Sequence, residues 1–230
     1  MTKDADKTSN SVHLEGIITK IDLLEGRNGS VNARMIVGTH DRVVNKDTKE
    51  AILTNPHRFT VIVEDAREEK AEILRELSKK DFTSQRTFFA LDGSLKSMPK
   101  NKEDYFILSE PDDFNITEKV DHDNSRKITA KGEVQNVAAN EGYAMMMVSI
   151  DDDVNVRVKI SKEKQPKAWA DAASGKIHKG TPLSVDGNLR TPPCNDGRRS
   201  MNTVFIDATR CNQITLAKKQ TETKKNGPTI

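Results

Sequence analysis

The chain is predicted to be mostly β, folded as two tandem five-stranded barrels, each with a helix between its third and fourth strands. Three observations point there. A seven-residue pattern occurs twice, Leu91-Asp-Gly-Ser-Leu-Lys-Ser97 and Val185-Asp-Gly-Asn-Leu-Arg-Thr191, matching in residue type at every position. Each copy follows an alternating segment, Phe59 to Val63 or Val154 to Ile160, and then a helical one. Each unit also opens on an apolar-x-Gly step, Leu14-Glu15-Gly16 or Ala130-Lys131-Gly132. A self-similar stretch of about a hundred residues used twice is the mark of a repeated structural module. A chain of 230 residues holds two such modules, each large enough for a small core.

In the first unit, Val12 to Leu24 alternates as a strand, with Gly16 marking a bulge or strong bend. Glu25 to Gly29 is turn chemistry, and Val31 to Val37 forms a second strand. Gly38 to His57 is polar and reads as a long loop before a third strand at Phe59 to Val63. Asp65 to Lys80 is the clearest helix. Ala66, Ile73, Leu74 and Leu77 share one face, Glu69, Lys70, Glu72 and Glu76 stay wet, and Asp65 with Glu68 gives a cap signature. Phe88 to Ser97 is the fourth strand, with a tight turn or bulge at Asp92-Gly93. A basic loop from Lys96 to Lys102 leads to a fifth strand, Tyr105 to Leu108.

The second unit repeats this order. Strands are expected at Ile128 to Val137, Tyr143 to Ile150, Val154 to Ile160, Leu183 to Arg190 and Thr203 to Ala208. A short helix starts at Pro166, which suits a first helical turn, and Ala168, Trp169, Ala172 and Ala173 make one face of it. The expected organisation is a disordered leader at 1–11, the first unit at 12–110 and an acidic linker at 111–125. The second unit follows at 126–215, then a basic flexible tail at 216–230.

Composition narrows the class. Hydrophobic residues make up 34% and charged ones 31%, with mean hydropathy −0.69, which suits soluble units with long polar loops. No apolar run approaches the roughly 20 residues that a bilayer span needs. Met1 to Ser11 lacks the apolar stretch of a secretory signal, and Cys194 and Cys211 are too few for a disulfide framework, so a reducing cytoplasm is expected. The net charge of +2 is uneven: residues 1–120 carry 19 basic and 22 acidic side chains, net −3, and residues 121–230 carry 18 and 13, net +5. A polyanion would be drawn to the second half.

Three strands, a helix and two strands in each unit is the element order of the OB barrel. With Gly16 and Gly132 in strand one and the helix ahead of the Asp-Gly strand, the chain resembles OB-fold single-stranded DNA-binding proteins, nearest to phage-type replication proteins of that kind. The likeness covers most of residues 12–215 and lies in topology and pattern. It implies a protein that coats single-stranded DNA during replication, recombination or repair, with replication or recombination proteins as further partners. The chain departs from the family in three ways. Lys218-Lys219 and Lys224-Lys225 stand where many members carry an acidic tail, aromatics are only 4%, and the first unit is net acidic.

OB proteins bind on the outer face of strands two and three and on the loops joining strands one–two and four–five. If residues 154, 156, 158 and 160 point inward, Arg157 and Lys159 point outward, beside Tyr143, Met145 and Met147. Bases beside a ring and two thioethers make a platform for phosphates and nucleobases. A slip of one residue would instead bury Tyr143. Arg190, Arg198 and Arg199 add a basic loop, Lys96, Lys100 and Lys102 its counterpart in the first unit, and Arg34 and Arg58 could extend the track.

Other features have plainer readings. Asp151 to Asp153 is a solvated turn, and Trp169 belongs to a core. Five histidines without paired spacing and two distant cysteines make no zinc site. No phosphate-cradling glycine loop or nucleophile–base constellation is present, so neither catalysis nor a cofactor is expected. Two other functions fit the same barrels, a structural or adaptor protein and an RNA binder.

Overall fold

Hydrophobic alternation turns into strands over most of the chain in the computed structural model, which describes residues 9–102, 104–151, 154–191 and 203–214. In the first half these are β1 (Ser9–Glu25), β2 (Val31–Val44), β3 (Ala51–Ala66), β4 (Phe88–Ser97), β5 (Tyr105–Ser109) and β6 (Phe114–Thr117), with helix α1 (Glu68–Ser78) between β3 and β4. The second half holds β7 (Arg126–Ala139), β8 (Tyr143–Asp151), β9 (Val154–Ser161), helix α2 (Pro166–Ala173), β10 (Pro182–Arg190) and β11 (Phe205–Gln213). The architecture is mostly β, as expected, and its element order is consistent with the OB arrangement. The expected leader and tail lie mainly outside the described residues, although β1 already starts at Ser9.

The strand pairings close on themselves twice. β1 pairs with β2 and β4, β2 with β3, and β3 runs parallel to β5, which pairs with β4. β7, β8, β9, β11 and β10 repeat that circuit, with β9 and β11 as the parallel pair. The side chains that point inward are those the alternation nominates. Val31, Ala33, Met35 and Val37 face Val61 and Val63, and Ala144, Met146, Val148 and Ile150 face Val154, Val156, Val158 and Ile160, all nearly fully buried.

Four local expectations are corrected. First, Asp92-Gly93 is not a turn, since β4 runs straight through it, while the second copy meets the bulge alternative: β10 and β11 shift register between Asp186 and Gly187. Glycine is needed there because a Cβ on Gly93 would collide with the carbonyl oxygen of Leu108, and one on Gly187 would lie 2.7 Å from that of Asp207. Second, Gly38 to His57 is a long hairpin, because β2 and β3 continue past the core to pair as far as Val44 and Ala51. Third, Asp65 does not cap α1. It is still part of β3, with φ of 53° and its amide donated to Asn32 Oδ1, and the N-cap position falls to Arg67. Fourth, the segment expected as a linker is structured. Phe114–Thr117 adds a strand to β4, Phe114 stacks on Phe89, and Ser125 is buried.

The two halves meet along β1 and β7, which pair antiparallel from Ser9↔Lys131 to Leu14↔Arg126. Val12 pairs with Ile128, and these two residues stand four places ahead of Gly16 and Gly132 respectively. Equivalent residues of the repeat therefore face each other, as in an isologous contact. Side chains reinforce the junction. Asp41, on the long hairpin, pairs with Arg126 and, at 2.7 Å, with Arg190, which also holds Asp207 at 3.1 Å. His57 accepts the Thr191 amide on Nδ1 and turns Nε2 to Asp41 at 3.5 Å. Burial alone would raise the Asp41 carboxyl, but the two guanidiniums hold it well below the usual carboxylate range. Burial and the neighbouring Arg126 push the His57 imidazole down to about 4, so it is neutral at pH 7.

Candidate nucleic-acid interface

The outer face of β8 and β9 is built by simple alternation. Burying residues 144, 146, 148 and 150 leaves Tyr143, Met145 and Met147 outward, and burying 154, 156, 158 and 160 does the same for Asn155, Arg157 and Lys159. Register then pairs them across the strands: Met145 faces Lys159 and Met147 faces Arg157. Tyr143 is 39% exposed, which settles the register in favour of an outward ring. The Lys159 ammonium sits 5.1 Å from that ring's centroid. A flat aromatic edge, two polarisable thioethers and two cations thus share one surface, the combination that takes stacked bases and their phosphates.

This platform runs into a groove of about 390 Å³ at the junction, lined by Met147, Arg157, Asn155 and Gln135 of the second unit and by Lys102 and Tyr105 of the first. The Tyr105 hydroxyl donates to the Asn155 carbonyl, so the first unit's β4–β5 loop is pinned beside the second unit's outer face. A cation from each unit, Lys102 and Arg157, flanks the same space. Sequence reasoning did not nominate Tyr105, Gln135 or Asn155. Asn155 was visible as an outward position beside Arg157. The role of Tyr105 depends on how the units dock, for which a single strand pattern carries no signal.

The remaining nominated residues are placed differently. Lys96 is drawn to Asp151, the last residue of β8, at 2.9 Å, a further ion pair across the junction. Arg190 is held by Asp41 and Asp207 and belongs to the junction network rather than to an open basic loop. Lys100 is exposed on the β4–β5 loop. Arg34 and Arg58 are exposed on the outer face of β2 and β3. They stand four residues apart along the ladder, about 13 Å, with Ile36 between them where the second unit has Met147. Arg198 and Arg199 lie outside the described residues.

Trp169 packs part-buried against the core and donates Nε1–H to the Asn140 carbonyl at 2.9 Å, with Lys162 4.2 Å from its ring. That is a structural anchor for the β7–β8 turn. Cys211 is buried, and burial pushes its thiol up to about 12, so it is not a reactive thiolate. Among the described residues, no cluster of three or more His, Cys, Asp or Glu could hold a metal ion, and no helix is long and apolar enough to cross a membrane.

No protein-family model matches the chain, and no curated protein matches it in sequence. Solved structures do. The wild-type single-stranded DNA binding protein from Thermus aquaticus superimposes with a TM-score of 0.62 at 14% identity, covering 92% of this chain and 96% of that one. A deletion and substitution variant of the same protein gives 0.60 at 15% identity, covering 93% and 98%. The chain therefore has the fold of that protein along nearly its whole length.

Proposed function

We propose that this protein binds single-stranded DNA without strong sequence preference, using its two strand circuits as tandem OB barrels and acting as a binding protein, not an enzyme. The observation that carries this reading is the continuous surface from Tyr143 through Met145, Met147, Arg157 and Lys159 into the junction groove beside Lys102. Cations and stackable side chains stand side by side there, the pairing that takes phosphates and bases of a single strand. The shared fold with the Thermus aquaticus protein supports the same reading. Coating of single strands in the cytoplasm during replication, recombination or repair, in the manner of phage-type replication proteins, is the role that fits such a surface.

Titrating the full chain with a labelled poly-dT oligonucleotide at a series of salt concentrations tests it. Binding should weaken steeply with salt, with a slope set by the number of phosphates neutralised. Salt-independent binding, or none at low salt, would sink the proposal and leave the barrels as a protein-binding scaffold. Tighter binding to the matching RNA would move the substrate to RNA, where the 2′-hydroxyl is the only addition.

A further inference from the structure

We propose that a small polar cavity at the junction of the two units, separate from the β8–β9 platform, is a binding site for a single phosphate group. The cavity has a volume of about 140 Å³, room for one tetrahedral oxyanion and little more. Arg126, Arg42, Arg190, His122 and Asn188 line it, together with the carboxylates of Asp41 and Asp123. Arg126 carries the inference. It is only 5% exposed, and one guanidinium nitrogen, Nη2, is taken by Asp41. Its Nε and Nη1 are buried and, among the described residues, meet no acceptor, and the same is true of His122 Nδ1.

A buried guanidinium whose N–H groups meet no acceptor is costly, more so than a neutral donor. The carboxylates at hand are already committed: Asp41 is shared by Arg126 and Arg190, and Asp123 pairs with Arg42 at 3.1 Å. The lining holds three guanidiniums and two carboxylates, with Asp207 just outside it as a further partner of Arg190, so the unsatisfied donors of Arg126, and not net charge, call for an anion. One oxyanion can accept from several of these donors at once, and arginine is the side chain best matched to phosphate oxygens. His122 adds a donor when its proton is on Nδ1, and Asn188 adds an amide. The ligand would bridge groups from β2, β7 and β10 and so tie the first unit's hairpin to the second unit.

The phosphate could be free or part of a nucleic-acid backbone, and the experiment separates the two. The full chain is titrated with inorganic phosphate at constant ionic strength, chloride making up the balance, while its unfolding temperature and the ³¹P line width of phosphate are followed. A saturable rise in unfolding temperature with matching line broadening is expected. Arg42→Ala with His122→Ala should weaken half-saturation by about tenfold or more, the worth of charge-assisted donors, each shift being read against that variant's own unfolding temperature in chloride. Arg126→Lys should abolish the effect. If it does not fold, the Arg42 and His122 pair still decides the matter. Identical unfolding temperatures in phosphate and chloride, or a response fully kept in the double variant, would overturn the site. A saturating single-stranded oligonucleotide that displaces phosphate identifies a backbone phosphate as the occupant, and a ³¹P signal that persists identifies a free oxyanion. A chain that binds no oligonucleotide refutes the DNA reading but leaves the phosphate titration to decide this site.

Discussion

Asp41 shows how much one side chain does here. It neutralises two arginines from the other unit, so Asp41→Ala should leave Arg126 buried without a counter-ion and cost about 3–5 kcal/mol by chemical denaturation. Asp41→Asn tests charge alone and should recover only part of that. His57 beside it predicts a pH dependence. Its folded value is about 4 against 6.5 for the free side chain, so between those limits the unfolded chain binds more protons. Stability should therefore fall as pH drops from about 6.5 towards 4, by on the order of 3 kcal/mol, and a His57→Gln variant should lose that slope. His13 has the opposite sign. Burial opposes its charge, but Glu15 and Asp92 at 3.0 and 2.8 Å raise its value, so its contribution is present below 6.5 and lost as pH rises through the folded value. On the platform, Tyr143→Ala should cost roughly 1–3 kcal/mol in oligonucleotide affinity if a base stacks on the ring. Arg157→Ala with Lys159→Ala should flatten the salt dependence by about two units, one for each phosphate contact. Arg34→Ala with Arg58→Ala should change it less, and the reverse ranking would place the main site on the first unit.

The elements were unequally legible, and packing explains why. Strands with one face in the core, such as β8 and β9, declare themselves by period two, and the platform residues followed from that period alone. The β2–β3 hairpin did not. Beyond Gly38 it leaves the core, Val43, Val44, Ile52 and Leu53 are each about half exposed, and charged residues interrupt any alternation. The capping signature at Asp65 misled because β3 holds that residue through Asn32 before α1 can begin. Phe114–Thr117 was obscured by its acidic flanks, although Phe114 and Ile116 were the clue to a strand on β4. Of the repeated Asp-Gly steps, the second meets the expected bulge, where β10 and β11 shift register, and the first does not. At Gly93 the neighbouring strand's carbonyl leaves no room for a Cβ. Gly93→Ala should therefore destabilise by about 1–3 kcal/mol through overpacking against backbone that cannot yield. Gly29→Ala probes the opposite case: its φ of 76° with open space around it predicts a cost set by backbone conformation alone. Comparable losses at both sites in urea melts would mean that crowding at Gly93 is relieved by strand movement.

At the scale of the whole molecule, two repeats were visible in the sequence, but their union was not. Nothing in a single chain's periodicity states that β1 will pair with β7, that Asp41 will reach Arg126, or that Tyr105 will donate to Asn155. These contacts join residues 50 to 122 positions apart. Together they make the buried side chains of both halves one continuous core. The expected behaviour is therefore a single cooperative transition rather than two. Trp169 is the only tryptophan and lies in the second unit, so its fluorescence reports that half. Hydrogen exchange of β3 and β5 amides reports the other. Both probes should give the same unfolding free energy in the wild type, and Asp41→Ala should separate them by weakening the junction while leaving each circuit's own core intact. Distinct transitions already present in the wild-type chain would mean that β1–β7 pairing adds little and that the two units are independent beads on a string. In that case the junction groove would exist only part of the time, and the affinity of the platform would have to come from the second unit alone.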